Sequence, residues 1–186
     1  MIKIYSLLRP FFVLTLLIFS QKSFSQLYIS GDWNLGVVMS DSDFNNGATS
    51  GAPGIAFGFR AGLLSPEIFY KRFRFDQEES IAPYGDVLTE IKSETLGLGL
   101  RLNHHLLLYS KFGVAFHFVE ADYASLQSTQ TLESVIDKTW ASPFVGGGFK
   151  YPISPSWEFF TDIAFYLSSK EFSIFNWEFG LRFYLP

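Results

Sequence analysis

Apolar and polar positions alternate with period two along most of the chain, and the last segment shows it best. Phe175, Trp177, Phe179, Leu181, Phe183 and Leu185 fall on one face of an extended strand; Asn176, Glu178, Gly180, Arg182 and Tyr184 fall on the other. Residues 175–185 are as long as a tilted strand that crosses a bilayer. The same pattern sets Leu96, Leu98, Leu100 and Leu102 against Thr95, Gly97, Gly99 and Arg101, and Phe112, Val114, Phe116 and Phe118 against Lys111, Gly113, Ala115 and His117. Phe159, Thr161, Ile163, Phe165 and Leu167 likewise oppose Glu158, Phe160, Asp162, Ala164 and Tyr166. The spacing predicts eight strands, at 27–40, 55–64, 67–75, 93–103, 106–119, 139–151, 157–167 and 173–185.

The predicted connections alternate in length. Ser65-Pro66, His104-His105 and 152–156 are short; 41–54, 76–92 and 120–138 are long, and 168–172 is intermediate. An even number of strands with short turns at one end and long loops at the other predicts an all-β, eight-stranded, up-and-down antiparallel transmembrane barrel. The polarity of the alternation separates this from a soluble ligand-binding barrel. An eight-stranded interior is just wide enough for side chains. Gly and Ala interleaved with polar residues suit it, whereas rows of Phe, Leu and Trp would overfill it and belong outside, against lipid.

Pairing Tyr151 with Trp157 across the 152–156 turn would set Lys150 opposite Glu158, Gly148 opposite Phe160 and Phe144 opposite Ala164, matching charge with charge and small with large. One residue fits poorly. Lys71 falls on the lipid face among Phe69, Phe73 and Phe75, which requires it to snorkel to an interface or a bulge to shift the register.

Composition agrees with a membrane setting. Charged residues make up 17% and aromatics 19% of the 186 residues, against about 25% charged in soluble domains. Cysteine is absent, which excludes a disulfide scaffold and thiolate metal sites, and a net charge of −4 argues against nucleic acid. Residues 1–25 read as a cleaved secretory signal: Lys3 and Arg9, an apolar run from Pro10 to Phe19, then Ser23-Phe24-Ser25 before a cut at Gln26. That apolar run is too short for a membrane helix. Residues 26–186 would form the barrel domain. Removal of Lys3, Arg9 and Lys22 takes the net charge to −7.

The chain from Leu27 to Leu185 resembles the small outer-membrane β-barrels of the OmpA/OmpX type. Gly180-Leu181-Arg182-Phe183-Tyr184-Leu185 is similar to the family's C-terminal assembly signal, with Gly180, Phe183 and Leu185 at its marked positions; Pro186 departs from the frequent terminal aromatic. Pro143-Phe144-Val145-Gly146-Gly147-Gly148 followed by Tyr151 resembles a strand of these barrels. The resemblance implies the outer membrane of a Gram-negative envelope, contact with its lipid and with the barrel-assembly machinery, and no particular activity.

Candidate chemistry is sparse. His117, Ser142 and Asp162 are all assigned inward, but His117 and Asp162 are expected to differ in height by about 15 Å, which argues against a triad. His104-His105 lacks a third metal ligand, and 146–148 lacks both the spacing and the helix of a phosphate loop. The richest set is the predicted lumen lining: Asp32, Glu158, Asp162 and Glu178 against Arg60, Arg72, Arg74, Arg101, Lys111, Lys150 and Arg182. In a narrow interior these are expected to link into a network. The four predicted loops hold twelve acids and three bases, an acidic outer face.

The sequence therefore predicts a non-enzymatic barrel with a plugged polar lumen and no cofactor or metal, in a structural, surface-contact or envelope-complex role with an envelope protein as a candidate partner. Two alternatives are a narrow porin-like channel for small solutes and a lipid-modifying barrel enzyme. Such enzymes place a His and a Ser close on one strand, and no His-x-Ser occurs in this sequence.

Overall fold

The computed structural model describes residues 26–39, 49–81, 85–125, 131–167 and 173–185. Eight strands follow in order: β1 (Gln26–Met39), β2 (Thr49–Arg60), β3 (Leu64–Ile81), β4 (Gly85–Asn103), β5 (Leu108–Ser125), β6 (Thr131–Pro152), β7 (Trp157–Tyr166) and β8 (Ser173–Tyr184). Each pairs antiparallel with its chain neighbour, and β1 pairs with β8 to close the barrel. The predicted fold class holds: eight antiparallel strands in up-and-down order close into a barrel, with short turns at the periplasmic end. The segment 1–25, expected to be a signal, lies outside the described residues.

The faces follow the period-two alternation. Phe112, Phe116, Val145, Ile163, Trp177, Phe179 and Leu181 are exposed on the outer wall. Asn34, Arg101, Lys111, Asp162, Asn176 and Glu178 are buried within. A monomer with so much exposed aromatic and aliphatic surface needs lipid around it. The lumen is less polar than the pattern suggested. Phe69, Phe73, Phe144 and Tyr166 cluster inside it with ring centroids 5.4–6.3 Å apart.

Three details differ from the sequence expectation. First, the β2–β3 connection is not Ser65-Pro66. Ala61 and Leu64 exchange both backbone hydrogen bonds, at 2.8 and 3.0 Å, around Gly62-Leu63, and Gly62 has φ 60°. That left-handed position suits glycine, and it moves Ser65 and Pro66 into β3. In the register that sets Gly54 opposite Lys71, β3 turns Phe69, Lys71 and Phe73 inward and Arg72 and Arg74 outward. Second, the β6–β7 ladder pairs Pro152 with Glu158, Lys150 with Phe160, Gly148 with Asp162 and Phe144 with Tyr166. This is a slip of two, which keeps every face and changes every partner. Third, most of the expected loops 76–92 and 120–138 is strand. β3 to β6 run 18, 19, 18 and 22 residues, against 14, 12, 10 and 12 for β1, β2, β7 and β8. Four paired strands therefore continue on the extracellular side beyond the level at which the other four end.

Candidate functional site

The centre of the lumen is a chain of ion pairs. Glu178 of β8 lies between Lys71 of β3 and Lys111 of β5, and Lys111 also contacts Asp162 of β7. The Tyr109 hydroxyl donates to Asp162. Two asparagines extend the chain: Asn176 Nδ2 donates to Asn34 Oδ1 at 2.9 Å and to Glu178 Oε2 at 3.2 Å, and Lys71 Nζ donates to Asn34 Oδ1 at 3.2 Å. Asn34 Nδ2 donates in turn to Asp32 Oδ1 at 2.7 Å. Every member but Asp32 is under 5% exposed. Such charges are tolerated only when they are paired and hydrogen-bonded, and five strands contribute to meeting that condition.

Nearer the periplasmic end a second group forms. Arg182 pairs with Glu158, its ladder partner, and the Tyr184 hydroxyl donates to Glu158 at 3.2 Å. The Lys150 amine donates to Asn103 Oδ1 at 2.6 Å. The Arg101 guanidinium is buried between the rings of Tyr28 and Tyr109, 5.0 and 5.3 Å from their centroids, and none of its three nitrogens has a hydrogen-bond partner among the described residues. Arg182 stacks on Tyr28 from another side, at 5.0 Å. Cation–π contact here takes the place that a carboxylate holds for Lys71, Lys111 and Arg182.

Of the residues that the sequence singled out, the structure brings Arg101, Lys111, Lys150, Glu158, Asp162, Glu178 and Arg182 into the buried lumen. Asp32 joins through Asn34, and Arg60 lies half-buried with its guanidinium 5.7 Å from the ring of Tyr184. Arg72 does not belong there. It stands on the outer wall beside Glu94, because the β2–β3 register sets Lys71 opposite Gly54 on the inward row and leaves Arg72 on the outward one. Sequence reasoning missed Lys71, which holds the central position that Arg72 was given, and Glu67, whose Oε2 accepts from the Tyr28 hydroxyl at 2.9 Å. Carrying the inward row of β2 across a two-residue turn, at Gly62-Leu63 or at Ser65-Pro66, would have found both.

Gly180, Phe183 and Leu185 lie at the β1–β8 closure. A Cβ on Gly180 would come within 2.3 Å of the Gly31 carbonyl oxygen, so close approach of β1 already requires glycine there.

His117 and Ser142 do meet. Ser142 Oγ lies 2.7 Å from His117 Nε2, and Thr95 Oγ1 lies 2.9 Å from Nδ1. Asp162 is engaged by Lys111 and Tyr109 instead. All three members of the His117 cluster are at most 1% exposed, and Tyr166 and Trp140 pack on the imidazole. A serine without an approach for substrate cannot act as a nucleophile. His104 is exposed, with Nε2 2.7 Å from Ser110 Oγ, and no cluster of metal-binding side chains occurs among the described residues.

No family model matches the chain, and no curated protein matches it in sequence. Solved structures do. The attachment invasion locus protein Ail of Yersinia pestis superposes with a TM-score of 0.62 at 13% identity, over 87% of this chain and 99% of that one. A major outer membrane protein of Thermus thermophilus gives 0.58 at 10%, over 88% and 100%. The outer membrane protein OprG of Pseudomonas aeruginosa gives 0.56 at 14%, over 86% and 96%. The fold is that of the small outer-membrane β-barrels, and the exposed apolar wall is the surface by which such a barrel sits in lipid.

Proposed function

We propose that the protein is a non-enzymatic barrel of the cell outer membrane, exported by residues 1–25 and assembled through its C-terminal strand, with a sealed lumen and a surface-contact or structural role. The observation that carries this reading is the packing of the lumen. Once Lys71, Glu178, Lys111 and Asp162 have met across it, the void among them and their neighbours is about 10 Å3. That is room for about one water molecule and no file of them. The long β3–β6 sheet supports the surface role, because it carries paired backbone on beyond the ends of the other strands. The sequence there is not that of a polyanion binder. One structure of Ail holds a heparin analogue, whereas the sequence segments at this end are strongly acidic, so a cationic partner suits them better.

Planar-bilayer recording tests the seal. The wild-type protein is expected to give no steady conductance. The double variant Lys111→Ala/Glu178→Ala, which removes one base and one acid together, is expected to open a small one. A steady wild-type current, unchanged in the variant, overturns the sealed lumen in favour of a narrow channel.

A further inference from the structure

Near the periplasmic turns of β1 to β4 the outer wall caves in, leaving a groove of about 640 Å3. Its rim is made of outward apolar side chains, Leu27, Phe57, Ile68 and Leu98 among them. Its floor reaches residues that point into the lumen: Tyr28, Gly58, Glu67 and Gly99.

The sequence opens the wall at this place in two ways. Pairing of β2 with β3 runs from Gly54–Lys71 to Gly58–Glu67 and resumes only at the Ala61–Leu64 turn. Pro66 sits in the gap and has no N–H to give the ladder. Gly58 and Gly99 carry no side chains, and the space is used from inside. A Cβ on Gly58 would lie 2.1 Å from the Tyr28 ring, and one on Gly99 would lie 3.2 Å from Glu67 Cγ. The wall at the groove is thus bare backbone backed by the Tyr28–Glu67 hydrogen bond, and Glu67 keeps partial exposure.

We infer that this groove is a binding site for a phospholipid of the periplasmic leaflet, which lays one acyl chain along Leu27, Phe57, Ile68 and Leu98. The inference rests on the membrane-embedded orientation and is independent of whether the lumen conducts. Position selects the occupant. Glu67 is three residues above Leu64, about 8 Å up a tilted strand, so the groove lies in the lower leaflet with the headgroup at the level of the Ala61–Leu64 turn. Polypeptide entering here would have to satisfy its backbone in hydrocarbon, and the rim side chains Leu27, Phe57, Ile68 and Leu98 offer it no polar partner. A chain of methylenes needs none, and it covers apolar surface that a straight wall of annular lipid would leave unfilled.

The test uses the full mature barrel in nanodiscs of palmitoyl-oleoyl phosphatidylethanolamine and phosphatidylglycerol, released into native mass spectrometry. The wild-type barrel and Ile163→Trp, a control on β7, are expected to retain one phospholipid. Ile68→Trp and Leu98→Trp fill the groove from its rim without entering the lumen, and are expected to lower retention at least about tenfold. Ile68→Phe, a smaller insertion, is expected to fall between them, and it carries the test if the Trp variants lose heat-modifiable migration. Absence of a retained lipid on the wild type, or equal retention in all variants, overturns the site. A dimer in place of the lipid-bound monomer overturns it too, by assigning the groove to a second copy of the chain.

Discussion

Lys71 and Arg72 are neighbours on β3, carry the same charge and live in different media. Lys71 is 3% exposed, touches Glu178 and donates to Asn34. The Arg72 side chain is 62% exposed; one terminal nitrogen lies 3.3 Å from Glu94, and Nε donates to the Tyr70 hydroxyl at 2.8 Å. Inside the barrel a charge without its partner has nowhere to find solvation, so each pairing is obligatory. Arg72 lies eight residues above Leu64, about 21 Å up the tilted strand, near the upper edge of an apolar band about 25 Å tall; at that interface water screens the pair, which contributes little. The pair of residues shows that position in the wall, and not residue type, sets the energetic weight of a base in this protein. Position in turn depends on strand register, since a slip of one residue exchanges the two faces.

The largest expected effect comes from Glu178. It is the acid that Lys71 and Lys111 share, so Glu178→Ala leaves two buried ammonium groups with Asp162 as the one remaining acid in contact. Removal of one partner from a buried pair costs about 3–5 kcal/mol, and this variant is expected at the upper end. Urea unfolding in detergent micelles, followed by tryptophan fluorescence, measures it. Lys71→Ala leaves Glu178 still paired to Lys111 and is expected to shift the midpoint less. The opposite order would show that Glu178 is not the centre of the network.

Much of this was legible in the sequence, and the rest failed for identifiable reasons. β4, β5, β7 and β8 announce their faces because Leu, Phe or Trp alternate with small and polar residues without interruption. β3 does not, because its lumen side carries Phe69 and Phe73 and its outer side Arg72 and Arg74, an inversion of the pattern that shows only in the pairing of β3 with β2 and β4. Ser65-Pro66 has the residue types of a turn, while Gly62 sits unmarked between Ala61 and Leu63. The Lys150–Glu158 rung was a reasonable charge match, but the 152–156 turn closes two residues differently, and Lys150 finds Asn103 instead. The long upper strands were hidden because strands beyond the bilayer need no apolar face, so the period that identifies them is missing. The His117–Ser142 contact depends on the β5–β6 register, which sets Ala115 opposite Ser142; that register lay in a connection too long to read.

The turn gives the next test, of intermediate size. Gly62 holds φ 60°, a left-handed position, where a β-branched residue is strained. Gly62→Val is expected to cost about 1–2 kcal/mol and to leave the lumen network intact, because the rest of the β3–β4 ladder holds the register from Leu64–Leu102 to Ile81–Gly85. The same unfolding measurement reads it, with Lys71 accessibility to amine-reactive label as a check on register. Labelling of Lys71 in the folded variant would show that the turn alone had been holding the faces.

The smallest expected effect sharpens the comparison most. Arg72→Ala removes a guanidinium that is stacked 5.6 Å from the Tyr70 ring and paired to Glu94 on the outer wall. At the membrane interface the long arginine side chain reaches water in the folded chain as in the unfolded one, and its exposed partner Glu94 recovers water when the arginine is lost. The unfolding midpoint is therefore expected to stay within measurement error of the wild type, while Lys71→Ala, one residue away, moves it clearly. If Arg72 instead pointed into the lumen, as the alternation pattern alone suggested, the two results would exchange: the arginine variant would strand buried acids, and the lysine variant would be the silent one. A single pair of unfolding curves thus decides which face of β3 looks inward, and with it whether Glu178 is held by Lys71 or by a residue on the next rung.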